Sequence, residues 1–299
     1  MKRAALLALL LPLLLATACR GFLFAPVQRL PNRITQPRRD DARLAVLWAG
    51  HATVLVQMDD KMILTDPLLG DSVGQLTRRV TEVGIDPANL PPLDAVVVSH
   101  MHFDHLSLGS LDAIEHKTRR LVVPQGGLVY IPNYAFEVRE LPVWSSIEDG
   151  GLRITAVPVK HVGYRYGIDG AWMRTSFTGY VFEYHGLTVY FSGDTAYDGD
   201  GFRATAARFP SIDLVLIAIA PIHPRGFMRA VHVDPGEALR AFVDLGARTM
   251  VPIHYDTLVN GFDSPGEARE TLKRVASERG LTERVRVLPI GGQGVIVPR

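Results

Sequence analysis

Four side chains that commonly bind metals occur within six residues of the sequence, in the stretch His-Met-His-Phe-Asp-His at residues 100–105. His100 and His102 are two residues apart, and in an extended segment such side chains point to the same side, so both can bind one ion. Asp104 and His105 are adjacent and diverge, so they can reach a second ion. Imidazole and carboxylate suit Zn²⁺ or iron. The stretch therefore predicts a metal site; a polar loop beside a helix N-terminus is the alternative.

Four further candidate residues, His161, Asp194, His232 and His254, lie at or just after the end of a predicted strand. Functional residues are concentrated on the loops that follow such strand ends. A lone histidine at a strand end is more often a structural residue than a ligand. Together, however, the four supply the partners that the 100–105 stretch needs, and we expect them to share one site.

The apolar pattern predicts a strand-rich first half and alternating strands and helices in the last third. His185-Gly186 joins two alternating runs as a hairpin. Asp234 and Glu237 predict a capping box at the start of one helix, and the same start signals recur at Ser264. We expect an α/β fold in a single domain, a four-layer αββα sandwich with two sheets face to face. The other predicted elements are strands at 44–50, 53–59, 61–67, 94–99, 120–124 and 285–298 and a short helix capped by Ser107.

The composition is that of a globular protein, because 47% of the 299 residues are hydrophobic and 21% are charged. The formal net charge is +1, and no basic patch with interleaved aromatic residues is present in the sequence, which argues against a nucleic-acid partner. No linker divides residues 44–299, so we expect one domain there. Residues 19–43 are rich in Arg, Pro, Asn and Gln and predict a tether or irregular arm. The oligomeric state stays open.

The N-terminus has the pattern of a secretory signal peptide over residues 1–18. Lys2 and Arg3 precede an apolar run at 4–15, and small residues follow. Cys19 is the only cysteine of the chain, so an exported form could make no intramolecular disulfide. Lipid attachment at Cys19 would explain it. We expect an exported bacterial lipoprotein, periplasmic and anchored to the membrane; a soluble periplasmic protein is the alternative.

The stretch HMHFDH resembles the signature of the metallo-β-lactamase superfamily, and the later His, Asp and His follow in that family's order. Between about residue 44 and about residue 258, five stretches are similar to N-acyl-phosphatidylethanolamine-hydrolysing phospholipase D and its bacterial relatives. They are WAGHATVLVQMDDKMILTDPLLGD, LDAVVVSHMHFDHL, SGDTAYD, RGFMRAVHVDPGEALRAF and PIHYDT.

The resemblance implies two zinc ions, with iron or manganese as further candidates, that share a bridging hydroxide. It implies that Asp104 and His232 take part in catalysis, with His232 near the substrate phosphate or donating a proton to the leaving group. His51 and Asp66 would support the site from beneath the metals. The implied ligands are His100, His102 and His161 for the first ion, Asp104, His105 and His254 for the second, and Asp194 for both.

Aromatic and aliphatic residues beside arginines occur in two segments, 163–175 and 224–229, and this mixture would suit a lipid tail and an anionic head group. Ordinary loop anchoring is the alternative. The candidate substrate-binding residues are Tyr164, Trp172, Arg225, Phe227 and Met228, with Tyr166, Arg165 and Arg174 in the same segments.

The reaction that the resemblance implies is hydrolysis of a phosphodiester, of phospholipase D type, in N-acylated or related phospholipids. Because one fold can carry many activities, two alternatives remain. One is a lactonase or β-lactamase that uses the same metals. The other is a periplasmic protein that binds metal or lipid without turnover.

Overall fold

The computed structural model describes residues 27–73 and 77–299. The predicted signal peptide and Cys19 lie outside these residues. The described strands are β1 (Ala42–Gly50), β2 (Thr53–Met58), β3 (Lys61–Thr65), β4 (Ser72–Val73), β5 (Thr77–Arg78), β6 (Ala95–Val97), β7 (Arg120–Pro124), β8 (Glu137–Leu141), β9 (Ser146–Asp149), β10 (Leu152–Val157), β11 (Gly179–Tyr184), β12 (Leu187–Phe191), β13 (Leu214–Ala218), β14 (Thr249–Ile253) and β15 (Gln293–Pro298).

Two large sheets contain most of these strands. The first has the order β15-β1-β2-β3-β6-β7-β8 and the second the order β14-β13-β12-β11-β10-β9, while β4 and β5 form a separate pair. The helices are α1 (Leu108–Ile114), α2 (Gly199–Arg208), α3 (Arg225–Met228), α4 (Pro235–Asp244) and α5 (Glu267–Glu278). Within the described ranges, no helix is long and apolar enough to span a bilayer.

Successive residues of a strand face opposite sides, so each sheet has an inner and an outer face. The main core lies between the two inner faces. Val56 of β2 packs in one cluster with Phe182 of β11. Its neighbour Leu55 faces the other way and joins a second cluster with Leu111 of α1. Helix α4 packs against β13 of the second sheet, and its Phe242 extends the first cluster to that helix. Helices therefore cover the outer faces of the two sheets, and the predicted αββα fold is confirmed.

Several local predictions are confirmed. Ser107 accepts a hydrogen bond from the backbone of Ser110 and caps α1. Asp234 and Glu237 form the complete capping box of α4. β11 and β12 are the arms of the predicted hairpin.

The predicted start of α5 at Ser264 is wrong. The helix begins at Glu267, because Gly266 adopts a left-handed conformation with φ +79° that interrupts the helical backbone. The Glu267 carboxylate still accepts a hydrogen bond from Ser264 N, so half of the capping box forms without extending the helix.

Two further differences concern the ends of elements. Residues 285–290 were predicted as strand, but Val285 makes only an isolated bridge with Met250, and β15 alone continues the sheet. Pro289 has no N–H to donate, which works against a ladder there. Helix α2 was not predicted, because its glycine-rich start has low helix propensity and only Phe202 and Thr205 are buried. Strand β1 begins at Ala42, two residues before the predicted domain start.

Candidate metal centre

The strands that precede the candidate ligands run in the same direction within each sheet. β1 and β3 both pair antiparallel with β2, and β3 is parallel to β6. In the second sheet β10 and β12 both pair antiparallel with β11, and β12, β13 and β14 are parallel. Their carboxyl ends therefore meet at one edge of the sandwich. The residues that follow these ends are His51, Asp66, the ligand turn (residues 100–106), His161, Asp194 and His254.

His100, His102 and His161 form the first group of potential ligands, since one nitrogen of each ring lies within 4.8 Å of the others. His100 Nε2 and His102 Nδ1 are 2.8 Å apart. His161 comes from the second sheet, and its ring centroid is 4.5 Å from that of His100. Three imidazole ligands with a further position open are the set found in many catalytic zinc sites.

Asp104, His105 and His254 form the second group, which His51 also joins at the same 4.8 Å limit. His105 Nε2 and His254 Nε2 are 3.2 Å apart. Asp104 Oδ2 lies 3.6 Å from His105 Nε2 and 4.0 Å from His254 Nε2. Two imidazoles and a carboxylate around one point can bind a divalent cation.

Asp194 lies between the two groups. Its Oδ1 is 3.0 Å from His254 Nε2, on the side of the second group. Its Oδ2 is 3.3 Å from His105 Nε2, also of the second group, and 3.9 Å from His161 Nε2 and 4.0 Å from His100 Nε2 of the first group. One carboxylate can therefore reach both candidate ion positions, as the sequence resemblance implies.

His161 and His254 face the centre with Nε2, the nitrogen that carries the lone pair in the neutral form of each ring. Each Nδ1 donates to a main-chain carbonyl, Val231 O at 2.8 Å and Ala220 O at 2.9 Å respectively, and a carbonyl oxygen only accepts. Among the described residues, buried His161 Nε2 and Asp194 Oδ1 make no hydrogen bond. Unpaired buried acceptors are costly unless something else satisfies them. The donor set therefore fits cations.

Burial and nearby charges separate the pKa values of these groups. Burial lowers the pKa of His161 to about 3 and that of His100 well below its ordinary 6.5. For His105, burial opposes protonation, but three neighbouring aspartates raise its pKa well above 6.5. Burial opposes ionisation of Asp194, yet the neighbouring imidazoles, with His254 first and then His105, lower its pKa well below the ordinary value. Ionised carboxylate and neutral imidazole are the forms that bind metals, so metal binding at His105 must release a proton.

Asp66 and His51 each contact a ligand of the second group. The Asp66 carboxylate accepts hydrogen bonds from His105 Nδ1 at 2.6 Å and from the Ser99 hydroxyl at 2.6 Å. His51 Nε2 lies 3.0 Å from Asp104 Oδ2. Both residues occupy positive-φ conformations, +33° for Asp66 and +54° for His51. Both side chains therefore hydrogen-bond to candidate ligands, His105 and Asp104 respectively.

Residues 61–255 match the Beta-lactamase superfamily domain, a span of 195 residues that contains both ligand groups except His51. The chain belongs to the metallo-β-lactamase superfamily. Together with its donor set, this membership makes the protein a metal-dependent hydrolase.

Relatives of the chain include both enzymes and proteins without an assigned activity. It is 30% identical over 271 residues to an uncharacterized protein of Mycobacterium tuberculosis, covering 86% of this chain and 70% of that protein. It is 29% identical over 266 residues to the mitochondrial N-acyl-phosphatidylethanolamine-hydrolyzing phospholipase D of Saccharomyces cerevisiae, covering 85% of this chain and 56% of the yeast protein.

Solved structures share the fold of this superfamily member at lower sequence identity. An isothiocyanate hydrolase from Delia radicum gut bacteria superposes with a TM-score of 0.65 at 18% identity, covering 85% of this chain and 99% of that chain. A diiron β-hydroxylase from Streptomyces venezuelae superposes with a TM-score of 0.60 at 17% identity, covering 87% and 55%. The fold thus occurs in proteins of different chemistry.

His232 lies beside Asp194 rather than within either group of ligands. Its Nδ1 is 3.6 Å from Asp194 Oδ2 and, among the residues described, has no hydrogen-bond partner. Its ring centroid is 5.2 Å from that of His161. Burial lowers the pKa of His232 to about 4, so the ring is neutral at pH 7.

The predicted substrate-binding residues lie around the centre in different environments. Tyr164 is nearest, with its ring centroid 5.1 Å from that of His102. Trp172 and Phe227 are largely exposed, and Met228 is half-buried. Arg225 is already engaged: it pairs with the Glu237 carboxylate and donates to His232 O at 3.0 Å.

Ser99 is a residue that the sequence argument missed. Its hydroxyl donates to Asp66 and lies 3.0 Å from His100 Nδ1, so it links a ligand to the Asp66 carboxylate. The signal was its position directly before His100, at the end of an apolar strand.

Proposed function

We propose that the protein is a hydrolase with two divalent metal ions, zinc in the first instance, and that it cleaves a phosphodiester bond of N-acylated or related phospholipids. The two ions would be held by the two ligand groups with Asp194 reaching both. The similarity to the yeast phospholipase D over 85% of this chain supports this choice of reaction.

When bound, the two ions would lower the pKa of a water molecule and offset negative charge that develops on the phosphate. The chain's own residues fix the geometry for that chemistry. Asp66 orients His105, and His51 orients Asp104. His232, neutral and with a free Nδ1, is available to hydrogen-bond a substrate oxygen beside Asp194.

The choice of a lipid substrate rests on the apolar side chains exposed on the surface around this centre. Nine large apolar side chains are exposed among the described residues, and seven of them lie in segments that follow β7, β10, β13 or β14, at the sheet edge that carries the ligands. Isolated exposed apolar residues are ordinary, but a concentration at one rim is typical of an interaction site. The seven are Leu128, Val129, Tyr166, Ile168, Trp172, Phe227 and Phe262.

Hydrogen bonds join the segments that carry these residues to one another in pairs. Tyr130, next to Val129, donates its hydroxyl hydrogen bond to Asp169 in the segment that carries Ile168 and Trp172. Phe262 N donates to His223 O at 3.3 Å, shortly before α3 and Phe227. Lipid attachment at Cys19, which we also propose, would bring this rim close to phospholipid.

The test is hydrolysis of N-acyl-phosphatidylethanolamine in vesicles by the zinc-loaded protein. In the expected reaction, the oxygen of water bonds to phosphorus and the bond from phosphorus to the ethanolamine oxygen breaks. That oxygen takes up a proton, so phosphatidic acid and N-acylethanolamine form in equal amounts. If neither product forms, while lactones or β-lactams are hydrolysed, the phospholipase proposal is wrong. Metal binding without turnover of any of these would favour the non-catalytic binder.

Replacing exposed apolar residues tests the role of the rim. Trp172→Ser with Ile168→Ser should lower the rate on vesicles at least about tenfold but leave the rate on a short-chain, soluble phosphodiester within about twofold. Val243→Ser is the matched control, because Val243 is also exposed but lies near the far end of α4, about 12 Å along the helix from its start at Pro235. Equal losses on both substrates would contradict a lipid-contacting rim.

A further inference from the structure

Arg165 has a different environment from the one that the sequence suggested. Grouped with aromatic residues in the 163–175 segment, it was expected to face an anionic head group, but its side chain is buried, with only 8% of the residue exposed. Its Nη1 donates to two main-chain carbonyls, Met101 O at 3.0 Å and Leu106 O at 2.8 Å. The expectation of an anion-binding arginine is therefore wrong for this residue.

The two acceptors flank three of the seven potential ligands. Met101 precedes His102, and Leu106 follows Asp104 and His105, so one nitrogen atom of Arg165 joins both ends of the ligand turn. Within the turn, His102 O accepts from the backbone N–H groups of residues 105 and 106. Arg165 adds a side-chain link between Met101 O and Leu106 O to this backbone closure.

The guanidinium also packs on the middle of the same turn. Its carbon Cζ is 4.2 Å from the centroid of the Phe103 ring, within the range of a cation–π contact. Phe103 lies between His102 and Asp104. Arginine suits this position better than lysine, because its planar group can stack on a ring and donate in its own plane.

The backbone of Arg165 is itself held in place by Asp169. The Asp169 carboxylate accepts hydrogen bonds from Arg165 N at 2.9 Å and from Tyr166 N at 2.8 Å. The hydroxyl of Tyr130 donates to the same carboxylate. The backbone that carries Arg165 is therefore fixed independently of the ligand turn.

We propose that Arg165 is a positioning residue that fixes the ligand turn, and with it the placement of His102, Asp104 and His105 around the metals. The inference rests on the proposed two-metal function. Without the guanidinium, two buried carbonyls lose this donor, and the turn is held by its own backbone hydrogen bonds to His102 O. Removing a residue that contacts a metal ligand from outside typically lowers metal affinity 10–100-fold, and we expect a loss of that order when Arg165 is replaced.

The test compares Arg165→Met with Arg174→Met as the matched control. Arg174 is exposed in the same segment and donates to Gly170 O, away from the ligand turn. Each folded variant is titrated with Co²⁺ after metal removal, well below its own Tm, and its absorption spectrum is recorded. We expect Arg165→Met to bind at least one Co²⁺ about tenfold or more weakly, with a shifted visible spectrum. Arg174→Met should match the wild type.

Two outcomes separate this inference from the two-metal proposal. If wild-type protein itself binds no Co²⁺, the proposed function fails. If wild type binds two ions and Arg165→Met binds both within twofold, with the same spectrum, the positioning role is wrong and Arg165 serves stability alone. A lower Tm by itself therefore does not support the inference.

Should Arg165→Met fail to fold, two milder variants make the same measurement. Arg165→Lys keeps donors for both carbonyls but cannot stack, and Phe103→Leu removes the ring while leaving both hydrogen bonds. Each should give a Co²⁺ affinity between that of wild type and a tenfold loss, with a small spectral shift. Wild-type affinity and spectrum in both variants would overturn the proposal.

Discussion

The imidazole of His105 donates from Nδ1 to the Asp66 carboxylate across 2.6 Å, with both side chains wholly buried. Asp66 also accepts from the backbone and the hydroxyl of Ser99, each at 2.6 Å. The carboxylate thus connects the end of β3 with the strand end that precedes the ligand turn. It orients His105 so that Nε2 faces Asp194, 3.3 Å away.

Replacing this carboxylate should weaken metal binding at the second group. Asp66→Asn keeps the size of the side chain but removes the charge that polarises His105, so we expect the affinity of the second ion to fall about 10–100-fold. The measurement is a Zn²⁺ competition titration with a chelator of known affinity. Asp71→Asn, exposed in the same loop, is the control and should leave both affinities unchanged. Unchanged affinity in Asp66→Asn would contradict the assigned role.

A substitution of His51 distinguishes a ligand from a residue that orients one. His51 Nε2 is 3.0 Å from Asp104 Oδ2, and the residue has φ +54°. His51→Asn tolerates that left-handed backbone and shortens the side chain. If His51 orients Asp104, the variant keeps two zinc ions per chain and loses turnover and affinity. A stoichiometry of one ion by mass spectrometry would instead make His51 a ligand. His116→Asn, at an exposed histidine, is the control.

The sequence could predict the ligands because residue types that bind metals occur in it at the ends of predicted strands. His161, Asp194 and His254 each follow a strand, and parallel strands bring such positions to one edge. It could not predict what Arg165 does. The sequence does not distinguish a loop arginine whose guanidinium faces solvent from one that donates to buried main-chain carbonyls. Only the fold of the ligand turn brings Met101 O and Leu106 O to Arg165.

The capping-box motif predicted the start of α4 correctly but not that of α5, again because contacts from distant residues decide the outcome. Asp234 forms its capping box because the backbone there is extended before the helix, whereas Ser264 is followed by left-handed Gly266. Both segments read Pro-Gly-Glu after the candidate cap. The difference lies outside the motif: the backbone N–H of Gly266 donates to the Asp256 carboxylate at 2.8 Å, a contact from a distant loop.

The cap at Asp234 should make a measurable contribution to stability. Asp234 accepts from Glu237 N at 2.8 Å, and loss of such a cap costs about 0.5–2 kcal/mol. Asp234→Ala should therefore lower the free energy of unfolding by about 1 kcal/mol in urea denaturation. Asp198→Ala is the control, since Asp198 precedes α2 without making a side-chain cap hydrogen bond. Equal effects of the two substitutions would contradict the assignment.

The metal-free protein should lose stability as the pH falls below about 6.5. Burial lowers the pKa of His51 and of His161 to about 3 in the folded chain, while the unfolded chain keeps the ordinary value of about 6.5. The unfolded state therefore binds more protons between these values, and protonation favours it. Each such histidine gives a slope of about 1.4 kcal/mol per pH unit in that window.

His105 acts in the opposite sense but outside that window. Its pKa is raised in the folded chain, so its stabilising contribution is fully present below pH 6.5 and is lost only as the pH rises through its folded pKa. Urea denaturation of EDTA-treated protein at several pH values between 6.5 and 4.5 checks this. We expect the free energy of unfolding to decrease steadily as the pH is lowered from 6.5 to 4.5. A free energy that stays constant or increases as the pH is lowered would mean that His51 and His161 are not buried in the neutral form.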